Sequence, residues 1–305
     1  MNQNHSNISI INLCKYFSIS RQAYYQHEWF LSKEVFEHGL LLEEVKSIRS
    51  RHNRIGVRKL QVMLGTFIEA HDIKIGRDGL FDLLSEHGLL VRKRKRHVVR
   101  TTQSYHWLKK YSNLIIDFTP VRPCQLWVSD ITYWRLGENT FYVHLITDAC
   151  SRKIVGYHLS SSLHAEETLK SLKMALSGLK MCKSDFTGLI HHSDRGVQYC
   201  SSSYVTLLKN NNISISMTQS GDPLENAMAE RVNGIIKDEY LLNYKCDNIN
   251  DAARYLSEAV SLYNKERPHS SIGNFTPEYV HNQYDQIPIE KNKRLWKNYY
   301  IKSIV

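Results

Sequence analysis

The chain has no run of 18 consecutive apolar residues, and it begins with the polar segment MNQNHSN. A membrane-spanning helix needs about 20 apolar residues, and a secretory signal peptide needs an apolar core near its start. The sequence therefore predicts a cytoplasmic protein without a membrane span. Residues 1–60 also lack a sustained heptad repeat, so a long coiled coil is not predicted there.

Cysteine is sparse and irregularly placed, with six residues at positions 14, 124, 150, 182, 200 and 246. No two of them form a Cys-x-x-Cys pair, and no neighbouring histidines complete a zinc-binding pattern. In a cytoplasmic chain such cysteines are expected to be reduced and mostly buried. A zinc domain is therefore not predicted.

Acidic residues are outnumbered, because 30 aspartates and glutamates stand against 40 lysines and arginines. The formal net charge is +10, and the pI is about 9.2. Such an excess favours a polyanionic partner, with nucleic acid as the first candidate and an anionic membrane surface as the second. The 305 residues suffice for about two domains with substantial cores.

The N-terminal part of the chain has a helical pattern. Residues 8–27 predict two short helices with a break at Ser18–Ser20, where Ser20 is a suitable N-cap. This is the pattern of a helix-turn-helix, although a plain helical hairpin would share it. Three more helices are predicted in residues 40–92, the last of them closed by Gly88. We therefore predict a first helical unit at 1–38 and a second DNA-binding unit at 39–97.

The basic run RKRKRH at 92–97 is followed by a predicted basic linker at 98–120. A charge run is often only a solvated tract. Its place between a helical unit and a strand-rich region favours contact with phosphates instead. The DNA contacts predicted in the N-terminal part are Arg21, Arg58, Lys59, Arg92, Lys93, Arg94, Lys95 and Arg96.

From residue 121 the pattern changes to strands rich in β-branched and aromatic residues. LWVSDITYWRL, TFYVHLITDAC and KIVGYHLS are followed by a helix at 164–180, strand LIHHS, helix SSYVTLLKNN, strand ISISM and two more helices. Three antiparallel strands and then alternating helices and strands is the order of a ribonuclease-H-like α/β fold. We predict a mixed five-stranded sheet with flanking helices at 121–285, and a basic tail at 286–305.

Three acids lie where such a fold would hold ligands. Asp130 is inside an apolar strand, Asp194 ends a short strand just before Gly196, and Glu230 is on a predicted helix. A buried strand acid is costly unless it is paired or binds metal, and open sheets bind ligands at the carboxyl ends of their strands. Gly196 is expected to permit the tight turn that exposes Asp194. Three carboxylates suit two Mg²⁺ ions, for which Mn²⁺ can substitute, in phosphoryl transfer.

Each acid also has an ordinary interpretation. Asp130 would then face water on an edge strand, Asp194 would cap its own turn, and Glu230 would lie on a solvated helix face. The helix of Glu230 is predicted to start at 222–225, with Asp222 as N-cap and Pro223 at the first position. At about 100° per residue, one face of it carries only polar side chains. These are Asn226, Glu230, Asn233 and Lys237.

Other charged residues are interpreted as structural. Asp148 could be mistaken for a metal ligand, and Glu239 falls on the core side of its helix, where a nearby cation is its expected partner. Arg267 and His269 lie in YNKERPHSSIG. They either approach DNA or belong to a structural turn.

Four segments together resemble the catalytic region of bacterial insertion-sequence transposases of the IS-three family, specifically the second-reading-frame product. They are WVSDITY, HHSDRGVQY, ENAMAERVNGIIKDE and YNKERPHSSIG, and the resemblance covers about residues 40–280. It implies a retroviral-integrase-type fold with Asp130, Asp194 and Glu230 as catalytic metal ligands. It also implies that Lys237 contacts DNA near the cleaved end, and the two amides on its helix face are predicted to contact DNA as well.

The resemblance implies a DNA transposase that hydrolyses a phosphodiester at each element end and then uses the freed 3′-hydroxyl for strand transfer. The expected partners are the element's terminal repeats, target DNA, further copies of the chain and the first-reading-frame product, in the bacterial cytoplasm at the nucleoid. Two other functions are compatible with parts of the sequence. One is a ribonuclease-H-like nuclease without strand transfer, and the other is a catalytically silent DNA-binding regulator.

Overall fold

A computed structural model describes residues 9–92, 106–137, 139–181, 188–219, 226–242, 244 and 248–284. The predicted DNA contacts at 93–96, the helix start predicted at 222–225 and the tail at 286–305 lie outside these residues. None of the helices in the described ranges is long and apolar enough to cross a membrane.

The chain begins with two helices, α1 (Ile10–Tyr16) and α2 (Arg21–Arg51). The predicted break between them is confirmed, because Ser18 has a φ of 55° and the Ser20 hydroxyl accepts a hydrogen bond from the Ala23 N–H at 3.0 Å. Helix α2 is a single element of 31 residues. It runs without interruption across the position 38/39, where a boundary between two helical units is predicted.

The second half of α2 packs with three shorter helices, α3 (Val57–Met63), α4 (Gly65–Ala70) and α5 (Arg77–Glu86). Helix α5 ends before Gly88, whose φ of 64° is the left-handed conformation expected just after a helix. The core of this helical unit consists of aliphatic side chains at helical spacing. They include Leu41, Val45, Ile48, Leu60, Leu64, Leu80 and Leu84.

A five-stranded sheet forms the centre of the second half of the chain, in the order β3-β2-β1-β4-β5. Its strands are β1 (Leu126–Leu136), β2 (Asn139–Asp148), β3 (Ile154–Ser160), β4 (Ile190–Ser193) and β5 (Ser214–Met217). The first three are antiparallel, whereas β4 pairs parallel with both β1 and β5. The predicted mixed sheet is confirmed, and β1 is its central strand.

Helices cover both faces of the sheet. One face packs against α6 (Ala165–Met181), α7 (Val197–Cys200) and α8 (Ser202–Asn210). The other packs against α9 (Ala227–Ile235), a π-helical turn (Ile236–Leu241) and α10 (Ile249–Lys265). A short 3₁₀ turn (Ser270–Ile272) and α11 (Pro277–Asn282) follow. Side chains of β1 alternate between the two cores, with Trp127 in the first and Trp134 in the second.

The helical unit contacts the sheet domain through the buried side chain of His52. Its ring nitrogens lie 3.1 Å from the Tyr240 hydroxyl and 3.2 Å from Glu266, which also pairs with Arg51 at 2.6 Å. Burial lowers the pKa of His52. The π-helical turn that carries Tyr240 is therefore part of the contact between the two halves of the chain.

Candidate active site

Parallel pairing of β1 with β4 brings Asp130 and Asp194 together. Val128 pairs with His192, so the same register extended by two residues sets Asp130 beside Asp194. Neighbouring strands lie about 4.8 Å apart. Both acids line one pocket, and they stand at the carboxyl end of β4, where open sheets bind ligands.

The turn after β4 fixes the orientation of Asp194. Its Oδ1 accepts a hydrogen bond from the Gly196 N–H at 3.0 Å, so Asp194 caps its own turn and lines the pocket as well. Gly196 has an ordinary φ of −61°, which any residue can adopt. Glycine at this position lets the side-chain oxygens of Asp194 and Gln198 lie close to the backbone, since a Cβ there would be 3.0 Å from both Asp194 Oδ1 and Gln198 Oε1. Gly196 therefore permits the predicted turn because it has no Cβ, and not because it adopts a conformation reserved for glycine.

Helix α9 contacts β1 through two buried amides. Asn233 Nδ2 donates to Asp130 Oδ2 at 2.7 Å, and Asn226 Nδ2 donates to the Ser129 carbonyl at 3.1 Å. Only 3% of Asn233 and 6% of Asn226 is exposed. The structure therefore directs both amides at the strand, which does not support the DNA contacts predicted for them.

Burial raises the pKa of Asp130 to about 7, and the charge of Asp194 contributes further. The hydrogen bonds from Asn233 and from the Ile131 N–H oppose this rise, and Glu230 adds a smaller increase. Asp130 is half-buried and lines the pocket together with Asp194. Negative charge is thus concentrated in a place with little water, an arrangement that favours binding of a cation.

Glu230 lies on the first turn of α9, one turn before Asn233. It is near enough to affect the pKa of Asp130, but it is not among the residues that line the pocket. Within the described residues, no three His, Cys, Asp or Glu side chains are grouped closely enough to hold a metal ion. The structure therefore brings two of the predicted acids together and leaves the third in their electrostatic neighbourhood.

Lys237 reaches the wall of the same pocket. Its Nζ lies 3.6 Å from the ring centroid of Tyr133, and Tyr133 lines the pocket with Asp130 and Asp194. A regular α-helix would place Lys237 two turns beyond Glu230. Lys237 instead lies in the π-helical turn, whose wider ring contains one more residue per hydrogen bond.

The other predicted DNA contacts differ in exposure. Arg21, Arg58 and Arg92 are exposed. Lys59 is half-buried near Arg267, and burial is the main cause that lowers its pKa. Because a phosphate contact requires an accessible ammonium group, the structure does not support the contact predicted for Lys59.

Two acids interpreted as structural are confirmed in that role. Asp148 is fully buried, and its two oxygens accept hydrogen bonds from the Ser151 N–H at 2.8 Å and the Cys124 N–H at 2.7 Å. Glu239 accepts two hydrogen bonds of 2.7 Å from the buried guanidinium of Arg267. Arg267 therefore belongs to a structural turn rather than to a DNA-facing surface.

Three tyrosines line the pocket, Tyr133, Tyr142 and Tyr199, and none of them is among the site residues predicted from the sequence. Tyr133 lies three residues after Asp130, and Tyr199 lies in the HHSDRGVQY segment. Burial, together with the charges of Asp194 and Asp130, raises the pKa of Tyr199 well above its usual value. The proximity of Tyr133 and Tyr199 in sequence to the two acids was the only available signal, because strand-rich segments commonly contain aromatic residues.

Comparisons with known proteins agree with this architecture. Residues 120–223 and 211–277 each match a model of the integrase core domain. The uncharacterized 31 kDa protein of insertion element IS600 from Shigella sonnei is 35% identical, over 90% of this chain and 99% of that protein. The transposase of insertion sequence IS629 from Shigella sonnei is 29% identical, over 89% of this chain and 91% of that protein.

A solved HTLV-2 integrase catalytic core in complex with magnesium is also similar, with a TM-score of 0.42 and 20% identity over 52% of this chain and 97% of that one. The matches to the integrase core domain over residues 120–277 identify the chain as a polynucleotidyl transferase with an integrase-type core, and the five-stranded mixed sheet agrees with this class. The match to the IS600 protein over nearly its whole length, together with the match to the IS629 transposase, identifies the family within this class. The chain belongs to the insertion-sequence transposases with an integrase-type core, and its function is that of a DNA transposase.

Proposed function

We propose that this transposase cuts the element ends and joins the freed 3′-hydroxyl to target DNA at one site, formed by Asp130, Asp194 and Glu230. The placement of Asp130 and Asp194 in one pocket, where burial and then the charge of Asp194 raise the pKa of Asp130, is the observation that supports the proposal best. Two like charges held together with little water favour a bound cation. A single site suffices for both steps, since only the attacking oxygen differs between them.

The donor set suits a hard divalent metal, because every proposed ligand is a carboxylate oxygen. Asp130, Asp194 and Glu230 would hold two Mg²⁺ ions, with Mn²⁺ as a substitute. When bound, the metals supply charge neutralisation at the phosphate and activation of the attacking oxygen. The amide oxygens of Asn226 and Asn233 accept no hydrogen bond from the part of the chain that the structure describes, and they are further oxygen donors beside the two acids.

The side chains around the acids have positioning roles in this proposal. Asn233 holds the carboxylate of Asp130, and the Gly196 N–H holds that of Asp194. Lys237, at the Tyr133 wall of the pocket, would contact a phosphate beside the one being cut. A cation there also opposes the repulsion between DNA and the acids.

DNA affinity is assigned to the helical part of the chain and the basic run that follows it. Arg21, Arg58 and Arg92 are accessible to phosphates, and the residues at 93–96 would add four more cations. We propose DNA-binding units within 1–38 and 39–97, a linker at 98–120 and the catalytic domain at 121–285. The protein would act on element ends and target DNA as a homo-oligomer, with the first-reading-frame product, in the bacterial cytoplasm at the nucleoid.

The decisive experiment compares Asp194→Asn with the exposed control Asp117→Asn, using duplexes that carry the flanking element ends. An amide is a poor magnesium ligand, so we expect Asp194→Asn to lower cleavage by roughly two orders of magnitude or more. DNA binding should be nearly unchanged for both variants, and the control should cleave normally. Normal cleavage by Asp194→Asn would contradict the assignment.

Pre-cleaved ends test the second step separately. Wild-type protein should join them to a target duplex, and Asp194→Asn should not. Cleavage by wild-type protein without any joining would support a ribonuclease-H-like nuclease instead. Binding without either reaction would support a DNA-binding regulator.

A further inference from the structure

The N-terminal half of α2 carries large apolar side chains in contact with water. Tyr25 is 57% exposed, Trp29 is 68% exposed and Phe36 is 65% exposed. With Ser32 and Gly39 they are spaced by alternate steps of four and three residues along the helix. This is the heptad spacing of a helix-pairing seam. These five residues are called the α2 seam below.

The helical unit does not use the α2 seam for its own core. Its core begins further along α2, with Leu41, Val45 and Ile48, which are buried against the following helices. A stripe of aromatic residues outside any core is uncommon in a monomer and typical of an interaction surface. Among the described residues the seam joins no core, so it is a surface suited to bind a partner.

The charges of this segment argue against DNA as that partner. Residues 25–39, which contain the seam, have one cation, Lys33, and three anions, Glu28, Glu34 and Glu37, whereas Arg21 precedes the seam. The chain as a whole has a net charge of +10. A surface that binds phosphates concentrates cations, and this segment does the reverse. A protein surface is the better fit.

The geometry points to a second copy of this chain, and we propose that the α2 seam pairs in parallel with the same seam of that copy. Glu28 and Lys33 flank the seam on its two sides, at the positions where parallel paired helices form interhelical ion pairs. By symmetry, Glu28 of each copy would meet Lys33 of the other. Lys33 already extends along the seam, since its Nζ lies 5.9 Å from the Trp29 ring.

The available area is sufficient for such a dimer. An aromatic side chain buries about 150–250 Å², so at their observed exposures the three aromatic residues and the exposed Val35 supply about 500 Å² per copy. The flanking charged side chains raise this towards the roughly 800 Å² per partner of a stable interface. Ser32 and Gly39 leave room between the aromatic rings for those of the partner.

Cysteine crosslinking tests the parallel arrangement directly in the full-length chain. In a parallel pair, position 32 of one copy faces position 32 of the other, whereas position 34 points to the opposite side of the helix. Oxidised Ser32→Cys should therefore form a disulfide-linked dimer on a non-reducing gel. Glu34→Cys and the wild-type chain, which controls for native cysteines, should not. Equal dimer formation by Ser32→Cys and Glu34→Cys would overturn the proposal.

Sedimentation velocity tests the surface without crosslinking. Replacement of Tyr25, Trp29 and Phe36 by Ser should raise the dimer dissociation constant at least tenfold, while Phe30→Ser, on another side of α2, should change it less than twofold. Glu28→Lys and Lys33→Glu should each weaken association alone, and an equimolar mixture of the two should restore it as a heterodimer. The proposal would be overturned if the wild-type chain stayed monomeric at its highest soluble concentration. It would also be overturned if the mixture associated no more strongly than either variant alone.

Discussion

Asp130→Asn is expected to stabilise the metal-free protein at the same time as it inactivates it. Burial and the charge of Asp194 raise the pKa of Asp130 from its usual 3.8 to about 7. A rise of this size corresponds to about 4 kcal/mol between the charged and neutral forms. The residue is only half-buried and the metal-free site can relax, so we expect Asn to gain about 1–3 kcal/mol.

The sign and the pH range follow from proton linkage. Because the folded protein binds this proton more tightly than the unfolded chain, its stability falls as the pH rises from about 4 to about 7. The full penalty of the charged Asp130 is present above pH 7 and absent below pH 4. Asn keeps an acceptor for the Asn233 N–H, so the hydrogen bond survives while the charge is removed.

Thermal unfolding at pH 8 and at pH 4 in the presence of EDTA measures this effect, with Asp117→Asn as the exposed control. Asp130→Asn should melt several degrees higher than wild type at pH 8 and at nearly the same temperature at pH 4. Added Mg²⁺ should raise the melting temperature of the wild type and have a smaller effect on the variant. An equal gain at both pH values, or a loss at pH 8, would refute the electrostatic reasoning.

Three further predictions concern the remaining residues of the site and the DNA-binding region. Asn233→Ala removes the hydrogen bond that orients Asp130, so the cleavage rate should fall about tenfold. The affinity for DNA in a gel-shift assay should be unchanged. Unchanged cleavage would show that the amide is dispensable. Lys237→Ala should impair the processing of specific ends, and Lys237→Arg should have a milder effect because the positive charge is kept. Crosslinking from position 237 should label the terminal nucleotides rather than distant flanking DNA. Deletion of residues 1–100 should weaken DNA binding and make its affinity less dependent on salt concentration, because fewer counterions are released. An unchanged slope of affinity against salt concentration would place the main phosphate contacts elsewhere.

Local pattern was sufficient to predict most of the fold. Strands β1 to β3 follow β-branched and aromatic runs, whereas β4 and β5 follow short segments in which isoleucine or leucine precedes or alternates with polar residues. Asp130 could be located because it interrupts the first run, and Asp194 because it ends the segment of β4. The N-cap at Ser20 and the left-handed Gly88 were also predictable, since both depend on neighbours within a few residues. In each of these cases the determining interactions are local in sequence.

The features that the sequence did not reveal depend on packing between distant segments. The helix periodicity placed Asn226 and Asn233 on a polar face, but it could not show that this face lies against β1. Lys59 is polar by type, and only the docking of the helical unit near Arg267 makes it half-buried. The continuity of α2 was missed because its apolar pattern changes from an exposed seam to a buried core along its length.

The π-helical turn at Ile236–Leu241 has a consequence for which sequence changes this protein can tolerate. Such a turn contains one more residue per hydrogen-bonded ring than an α-helix. Deleting a single residue there would let the ring close as an ordinary α-turn, and the side chains beyond it would keep their orientation because the wide turn absorbs its extra residue locally. The side chains inside the turn would be displaced instead, and these include Glu239, which pairs with Arg267, and Tyr240, which contacts His52. We therefore expect the effect of such a deletion to be confined to the contact between the helical unit and the sheet domain.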